Sequence, residues 1–558
     1  MPKTKLLLVL ILLLAATLRV FGLNQHPIEL FGDELDVGYH AFSLWKSGQD
    51  YMGQKFPLYI HSLNEWRAPL LMYITAPFVG ILGLNEWGVR LPPAVFGIVS
   101  VFLIYLLVMT LSKNSRLSLI AAFVCSITPW HIHYSRAAFE STLLLTLVLL
   151  GVVAILKNKW FLAGASFALS FYTYNTANAF VPLLLFGIVL LCRERIKLLT
   201  KKSFSGAALM VLLTLPLLFI IVFGQGATRF KSLSIFNDPK SIDQIVFKRT
   251  TGNFGVERLF HNKLTFWADS FLGNYLTSFS PQFLFTSGDP NPRHNVPLTG
   301  QFPFWTLPFL LAGIFGLLKS KEGSFKRLTF LWLLLAPIPS ALTTDGGNHA
   351  TRLFLMIPAL VILIAWGIDW LLSVLAAWKL RLVAVFLLMI AFVSLGFWFH
   401  EYTVHYQKEQ SHYWDAGYKE PLSWLKANQL SYSRIILNNN HDPILLRYLF
   451  WTAKDPSWLK SHYQGDFAQK DILPGFDGFV IDGVFFGKIT AEDKENWLRE
   501  NLDEKTVYLA FQKDEIPGNW DWQKSPPEGV KVLSISRNVF SGEPHIYLLT
   551  KDTLDEKR

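Results

Sequence analysis

Long apolar runs separated by short basic segments dominate the first 400 residues of the chain. A transmembrane helix needs roughly 20 apolar residues, and runs of that kind predict eleven spans. They lie at 5–22, 90–111, 117–134, 137–156, 159–174, 177–192, 206–224, 303–319, 326–343, 352–374 and 381–400. No clear small-residue cleavage site follows the first run, so we interpret it as an uncleaved first helix. The pattern predicts a polytopic α-helical membrane protein.

Basic residues in the short loops predict the orientation of these spans, because they concentrate on the cytoplasmic side. With a cytoplasmic N-terminus, the clusters at 193–202 and 319–327 both fall inside the cell. If the apolar run 69–84, which is of borderline length, were a span, most of the basic loops would lie outside the cell. We therefore interpret it as a re-entrant or interfacial helix. The extracytoplasmic face then receives a first outer loop at 23–88, a long outer loop at 225–302, and everything after residue 400.

The composition changes at Glu401, where the apolar spans stop and charged and turn-forming residues return. Helical patterns occur at 421–428 and 491–501. Short apolar runs typical of strands lie at 433–437, 478–481, 506–511, 531–536 and 545–550. We therefore predict two domains, a membrane-embedded domain at 1–400 and a small extracytoplasmic α/β domain at 401–558.

Composition supports a location in the cell membrane and excludes some classes of function. The chain is 51% hydrophobic and only 16% charged, which is too apolar for a soluble protein of 558 residues. The net charge is +10, but the basic residues cluster in short loops on one predicted side of the membrane. This charge therefore does not indicate a nucleic-acid partner. Cys125 and Cys192 lie inside apolar runs, where a packing role is expected.

Three carboxylates, Asp33, Glu34 and Asp36, follow the first span closely. They open a predicted amphipathic helix that extends to Trp45. Its apolar side chains could rest on the membrane surface; they are Val37, Tyr39, His40, Phe42 and Leu44. Asp33 could simply be the N-cap, with Asp36 as a favourable first-turn charge. Capping explains one carboxylate but not three, so a catalytic role stays open.

The turn between the third and fourth spans contains Arg136 and Glu140, for which three interpretations stay open. The two residues are four apart and could form an ion pair within one helix. His131, His133 and Glu140 could hold a metal ion. Alternatively, Arg136 binds a phosphate, and Glu140 reaches the same site as Asp33.

Further cations and aromatic residues lie on the predicted outer face. Arginine matches phosphate oxygens with two parallel hydrogen bonds, although a single interfacial arginine can also extend to lipid headgroups. The tyrosines could line a sugar pocket or belong to an aromatic belt. The residues are Arg67, Arg293, His294, His349, Arg352, Tyr172 and Tyr174.

These motifs together resemble the membrane glycosyltransferases of the C superfamily, and most closely family 39, the protein O-mannosyltransferase and aminoarabinose-transferase group. The resemblance covers roughly the first 400 residues and is strongest before residue 180. The motifs are Gly32-Asp33-Glu34, Arg67-x-Pro69-Leu70, Arg90-Leu91-Pro92 and Ser135-Arg136-x-x-x-Glu140. The family usually has Asp at the position of Glu140, so Glu140 departs from its pattern.

The resemblance implies transfer of a sugar from a polyprenyl-phosphate donor to a protein, lipid or glycan acceptor on the extracytoplasmic face. Asp33 matches the catalytic acidic position, and Glu34 is its neighbour. Arg67 matches the basic residue of the proline element, and His349 to Arg352 resembles a late loop that contacts the phosphate. Asp33 would act as general base, and Arg67, Arg136 and Arg352 would stabilise the leaving phosphate. No cofactor is certain; a divalent metal ion held with Glu34 or Glu140 is one option.

Two other classes of function compete with this interpretation. About eleven spans also suit a transporter or lipid flippase, but the sequence has neither repeated halves nor ionisable groups near the bilayer midplane. The second is a non-enzymatic scaffold that presents the C-terminal domain.

Overall fold

The computed structural model describes most of the chain, and its residues form two compact units. Described are residues 2–63, 65–198, 200–224, 232–252, 254–375, 377–440, 443–463, 469–512, 518–519 and 521–552. The unit we call the helical unit contains Met1–Leu23, Leu58–Leu71 and Arg90–Thr403. The other, here the sheet unit, contains Asn24–Pro57, Met72–Val89 and Val404–Arg558.

Apolar helices build the helical unit, as the hydrophobic runs predict. By length and composition, four helical segments of the described chain can cross a membrane: Glu86–Ser112, Lys201–Phe223, Ala350–Val374 and Lys379–Glu409. The other principal helices are Pro2–Val20, Ser115–Ile127, Pro129–Tyr134, Glu140–Leu156, Trp160–Phe171, Ala177–Leu191, Leu307–Lys319, Gly323–Leu335 and Ile338–Ala341. Each predicted span overlaps at least one of these helices. The chain is a multi-pass membrane protein.

Proline explains why two of the predicted spans are broken into pieces. The run 117–134 forms one helix that ends at Ile127 and a second that begins at Pro129. The run 326–343 is likewise divided, with Pro337 between its two helices. Proline lacks the N–H that continues a helix but fits its first turn, so helices restart there.

The long outer loop at 225–302 contains more regular structure than its length in the sequence suggests. Residues 225–231 lie outside the described residues, and the rest includes the helices Lys240–Thr251, Phe254–Phe260 and Lys263–Thr277. Asn262 caps the last of these, since its side chain accepts from the N–H groups of Leu264 and Thr265. The predicted long outer loop therefore contains three α-helices in its described residues.

The C-terminal part of the sheet unit has the predicted α/β character. The helical unit contains the two short strands β1 (Ile60–His61) and β2 (Trp66–Arg67). The strands of the C-terminal part are β3 (Arg434–Asn438), β4 (Gln469–Leu473), β5 (Phe476–Ile481), β6 (Val484–Ile489), β7 (Thr506–Phe511), β8 (Val530–Arg537) and β9 (Pro544–Lys551). In the described residues they form one mixed sheet of order β4-β5-β6-β3-β7-β9-β8, with β3 parallel to both β6 and β7. Its helices are Lys419–Asn428, Ile444–Trp451, Pro456–His462 and Lys494–Asn501.

Most of the first outer loop belongs to the sheet unit, a grouping that the sequence does not reveal. Its helix Gly32–Ser47 packs against Ile444–Trp451 at such close range that a Cβ on Gly38 would lie 2.5 Å from a ring carbon of Phe450. Val37 and Tyr39 are fully buried by protein. The prediction that this apolar face rests on a membrane is therefore wrong for these two side chains. The apolar run 69–84 forms the short helix Leu70–Leu82.

Glu29 links the first outer loop to the C-terminal residues of the sheet unit. Its two carboxylate oxygens accept from the backbone N–H groups of Gly417 at 2.8 Å and Lys419 at 2.7 Å. Burial raises the pKa of Glu29 to about 8, although these two backbone hydrogen bonds and the Lys419 charge oppose the shift. Burial here therefore favours the neutral carboxyl group.

The raised pKa of Glu29 predicts that the protein loses stability as the pH rises from about 4.5 to about 8. Because the folded pKa exceeds that of an unfolded glutamate, the stabilising contribution is complete below about pH 4.5 and is lost as the pH rises through about 8. We expect the melting temperature to fall between pH 6 and pH 9 by more in the wild type than in Glu29→Gln. Thermal unfolding followed by tryptophan fluorescence in detergent measures this difference, and equal pH slopes would refute it.

Candidate functional site

Asp33 and Glu34 lie in the first turn of the helix Gly32–Ser47 but in different environments. Asp33 is exposed, whereas Glu34 is fully buried. The N-cap position belongs to Phe31, and the N–H of Gly32 donates to a carboxylate oxygen of Asp415 at 2.9 Å. The interpretation of Asp33 as the N-cap is therefore wrong. Its carboxylate lies near the positive end of the helix dipole and on the protein surface.

Asp36 has a structural role in the same helix. Its side chain is buried and accepts a hydrogen bond from the hydroxyl of Tyr51 at 2.7 Å. The ring of His40 stacks on Tyr51 with 3.7 Å between the ring centroids. Asp415, which accepts from Gly32, is itself paired with Arg447 at 2.8 Å. These contacts hold the helix and its first turn in the sheet unit.

In the helical unit, Arg67 pairs with Glu140 from the second outer turn. A two-residue strand, β2 (Trp66–Arg67), pairs with β1 (Ile60–His61) and positions the arginine. Its guanidinium lies 3.3 Å from a carboxylate oxygen of Glu140 and 3.2 Å from one of Glu65. The Arg67 side chain is only 4% exposed. Two motifs that are distant in the sequence therefore meet at one buried ion pair.

Arg136 is fully buried beside the end of the first helix. Its guanidinium donates to the carbonyl oxygens of Leu18 at 2.9 Å and Gly22 at 3.2 Å, and lies over the ring of Tyr402. Arg136 precedes the helix that begins at Glu140, so the predicted ion pair within one helix is wrong. At least two of its donor groups are directed at backbone carbonyls.

The two histidines of the second outer turn are engaged in hydrogen bonds to protein groups. One nitrogen of His131 accepts from Arg19 at 2.7 Å, and the other lies 2.8 Å from the hydroxyl of Ser100. His133 donates through Nε2 to the carbonyl of Arg293 at 2.8 Å. These bonds argue against the idea that His131, His133 and Glu140 form a metal site.

The late outer turn places Arg352 in a polar pocket. One of its terminal nitrogens donates to the hydroxyl of Thr343 at 2.7 Å and pairs with the carboxylate of Asp345. Burial alone would raise the pKa of Asp345. The hydrogen bond from Arg352 and the positive charge of Arg352 have the larger effect, so the pKa of Asp345 is lowered. Burial, aided by the Arg352 and His294 charges, lowers the pKa of His349 to about 3. His349 is therefore neutral at physiological pH.

Asp289 also belongs to this region, although the sequence pattern singles out only its neighbours Arg293 and His294. One of its oxygens accepts from the N–H of Ala350 at 2.7 Å and lies 3.1 Å from Nδ1 of His294. Its other oxygen accepts from the N–H of Asn291 at 2.8 Å. Burial would raise the pKa of Asp289, but His294 and these backbone bonds lower it. The signal in the sequence is the position of Asp289 in a turn-forming segment next to Arg293 and His294.

Several contacts bring the outer segments of the helical unit together. Tyr134 and Thr351 share a hydrogen bond of 2.8 Å between their hydroxyl groups. The rings of Phe139 and His294 lie 5.9 Å apart, and those of His294 and His349 lie 4.9 Å apart. The second outer turn, the 289–294 segment and the late turn therefore form one cluster, as their predicted common side suggested.

The tyrosines at the rim of the fifth and sixth predicted spans lie near the Arg67 hairpin. The hydroxyl of Tyr172 donates to the carbonyl of Leu213 at 2.6 Å, while its own carbonyl accepts from the N–H of Leu70. Its ring packs with a small core that includes Tyr59 and Ala68. Tyr172 and Tyr174 are both partly exposed.

The side chain of Arg293 is also partly exposed. Arg293 lies in the segment whose backbone carbonyl accepts a hydrogen bond from His133.

The architecture, apolar helices followed by a mixed sheet domain, is shared with a solved protein structure. The structure resembles ArnT from Cupriavidus metallidurans bound to undecaprenyl phosphate, with a TM-score of 0.51 and 12% sequence identity. The match covers 97% of both chains. The archaeal oligosaccharyltransferase AglB from Archaeoglobus fulgidus gives a TM-score of 0.47 at 14% identity, covering 81% of this chain and 63% of that one.

Sequence comparison confirms the resemblance that the motifs indicate. Residues 66–220 match the family described as dolichyl-phosphate-mannose-protein mannosyltransferase. YycA of Bacillus subtilis (strain 168), named as a candidate mannosyltransferase, is 25% identical over 261 residues. That match spans 45% of this chain and about a third (36%) of YycA. The matched family region contains Arg67, Arg136 and Glu140.

Proposed function

We propose that this protein is an integral-membrane glycosyltransferase that moves a sugar from a polyprenyl-phosphate donor to an acceptor on the extracytoplasmic face. The fold it shares with ArnT and the match to a mannosyltransferase family support this class of reaction. The name of that family makes a mannosyl group the first sugar to test. The acceptor is a hydroxyl or amine of a protein, lipid or glycan.

The observation that carries the proposal is the buried pair of Arg67 and Glu140 within the family-matched region. A buried arginine at a membrane boundary needs a local partner, and its planar fork also suits phosphate oxygens. Glu65 and Glu140 fix the guanidinium before any ligand arrives. A pre-positioned cation stabilises charge on a leaving phosphate without the cost of reorganising the site.

In the proposed reaction, Asp33 is the general base, and Glu34 is its buried neighbour. The Asp33 carboxylate takes the proton from the acceptor while the acceptor oxygen or nitrogen forms a bond to the anomeric carbon of the sugar. The bond from that carbon to the phosphate oxygen breaks, and its electron pair leaves with the polyprenyl phosphate. A single displacement with one carboxylate inverts the anomeric centre.

Arg352 and His349 are proposed to stabilise the phosphate together with Arg67. Thr343 and Asp345 orient the guanidinium of Arg352. His349, neutral because burial lowers its pKa, can donate a hydrogen bond from one ring nitrogen. Arg293, His294, Tyr172 and Tyr174 are proposed as further substrate contacts.

Replacement of the phosphate-binding arginines tests this proposal. We expect Arg67→Ala and Arg352→Ala to raise the KM for a polyprenyl-phosphate mannose donor by about 10- to 100-fold, because each removes charge-assisted hydrogen bonds. The KM for the acceptor should change little. Steady-state kinetics of the purified variants in detergent measure both constants.

Lys321→Ala is the matched control, since Lys321 is an exposed basic residue on the predicted cytoplasmic side. Its donor KM should equal that of the wild type. An unchanged donor KM in both arginine variants would remove Arg67 and Arg352 from the phosphate site.

A further inference from the structure

The turn that carries Asp33 is held by two residues from the C-terminal part of the sheet unit. One carboxylate oxygen of Asp415 accepts from the backbone N–H of Gly32 at 2.9 Å. The ring of Trp414 meets that of Phe31 edge to face, with 5.4 Å between the ring centroids. These contacts fall on the two residues that immediately precede Asp33. A segment 383 residues away in the sequence therefore holds the start of its helix.

Asp415 is itself fixed by a buried arginine. The carboxylate oxygen that accepts from Gly32 also lies 2.8 Å from a terminal nitrogen of Arg447, and both side chains are largely buried. Arg447 donates to the carbonyl of Pro443 at 2.9 Å, and its guanidinium carbon lies 4.5 Å from the ring centroid of Tyr418. Charge-assisted hydrogen bonds are short and strong, and their strength rises in a low dielectric. The oxygen that receives Gly32 is therefore held in one place.

A fixed first turn matters because Asp33 lies on the protein surface. Helix ends fray, and an exposed side chain there is placed no better than its own backbone. The N–H groups of Glu34 and Leu35 donate to the carbonyl of Phe31, so the position of Phe31 sets that of the whole turn. A base must lie within hydrogen-bond distance of the proton it removes, and a displacement of about 1 Å can cost about 10²-fold in rate.

We propose that Asp415, supported by Arg447, is a positioning residue for the Asp33 base. This inference rests on the proposed function, because it gives Asp415 an effect on the same reaction. Asp415 acts through the backbone and not on the substrate: it accepts from the first N–H of the helix and so fixes the turn from which the Asp33 side chain extends. The C-terminal part of the sheet unit then contributes to catalysis through this contact.

Substitution of Asp415 tests this role by turnover and by hydrogen exchange in the purified full-length protein. We expect Asp415→Ala to lower kcat by about 10- to 100-fold while the KM for a polyprenyl-phosphate mannose donor stays within about twofold of the wild type. Asp415→Asn, which keeps an acceptor oxygen for the Gly32 N–H, should restore most of the lost kcat. Hydrogen–deuterium exchange measured by mass spectrometry should show faster exchange of the Gly32 amide in Asp415→Ala than in the wild type.

Asp493→Ala is the matched control for the loss of such a bond. Asp493 is an exposed residue of the same unit, and its side chain accepts from the N–H of Asn496 in the first turn of the helix Lys494–Asn501. Its removal deletes the same kind of hydrogen bond, an aspartate to a backbone N–H at a helix start, at a position distant in sequence from Asp33. The kcat of Asp493→Ala should equal that of the wild type.

An unchanged kcat in Asp415→Ala, or equal kcat values in Asp415→Ala and Asp415→Asn, would overturn the positioning role. If Asp415→Ala does not fold, the wild type decides. After correction for intrinsic rates, its Gly32 amide should exchange more slowly than the Asn496 amide, whose acceptor is exposed, and equal rates would reject the role. Absence of sugar transfer by the wild type would contradict the proposed function, while the exchange of Gly32 would still show whether Asp415 holds this turn.

Discussion

Asp33→Asn is expected to abolish sugar transfer while leaving the protein folded. The amide is nearly the same size as the carboxylate but cannot accept a proton from the acceptor. Loss of a general base typically costs about 10²- to 10⁴-fold in rate. Folding should survive because Asp33 is exposed and the N–H of Gly32 is bonded by Asp415 instead. The turnover rate at saturating donor and the melting temperature of the variant are the two measurements.

Glu420→Gln provides the matched control for this variant. Glu420 is also an exposed carboxylate in the first turn of a helix, Lys419–Asn428. Its loss has the same effect on helix dipole and net charge, so any difference in turnover belongs to the position of Asp33. Near-normal turnover by Asp33→Asn would eliminate Asp33 as the base.

Arg136→Ala is expected to destabilise the helical unit strongly. The side chain is fully buried, and its removal leaves a cavity and deprives the carbonyls of Leu18 and Gly22 of a charged donor. A buried acceptor that loses its donor typically costs about 1–3 kcal/mol, and two carbonyls lose theirs here. We therefore expect a clearly lower melting temperature and a lower yield of folded protein, measured by thermal unfolding in detergent and size-exclusion chromatography.

A surface ion pair serves as the comparison for Arg136. Arg116 pairs with Asp369 at 2.5 Å, but its side chain is 47% exposed, so Arg116→Ala should cost no more than about 1 kcal/mol. The Arg136→Ala variant also distinguishes between two possible roles of Arg136, in folding and in donor binding. If it melts like the wild type but has a raised donor KM, Arg136 binds the donor phosphate and does not anchor the first helix.

The sequence predicts the positions of the apolar helices well, because their signal is local. Breaks inside them depend on single residues, such as Pro129 and Pro337, that a hydropathy window averages away. In the sheet, the predicted strands omit β4 and β6, although Asp482-Gly483 just before β6 is a strong hairpin signal. Both residues have positive φ, 46° and 76°, and join β5 to β6 with Ile481 opposite Val484.

Contacts between site residues that are far apart in the sequence cannot be predicted from local sequence patterns. The sequence places Arg67 and Glu140 on one predicted side of the membrane, but their pairing depends on how β2 meets the helix at Glu140. The carbonyl partners of Arg136 could not be predicted for the same reason, since Leu18 and Gly22 are more than a hundred residues away in the sequence. The contact of Gly38 with Phe450 likewise links distant segments.

The most direct test of the central claim is the fate of a polyprenyl-phosphate mannose donor, labelled in the sugar, with the purified protein in liposomes. Membrane extract supplies the acceptor, and chromatography separates intact donor, free polyprenyl phosphate and labelled product. We predict that donor is consumed with release of an equal amount of polyprenyl phosphate, and that Asp33→Asn consumes none. Donor that crosses the bilayer intact without consumption would contradict the claim and identify a transporter.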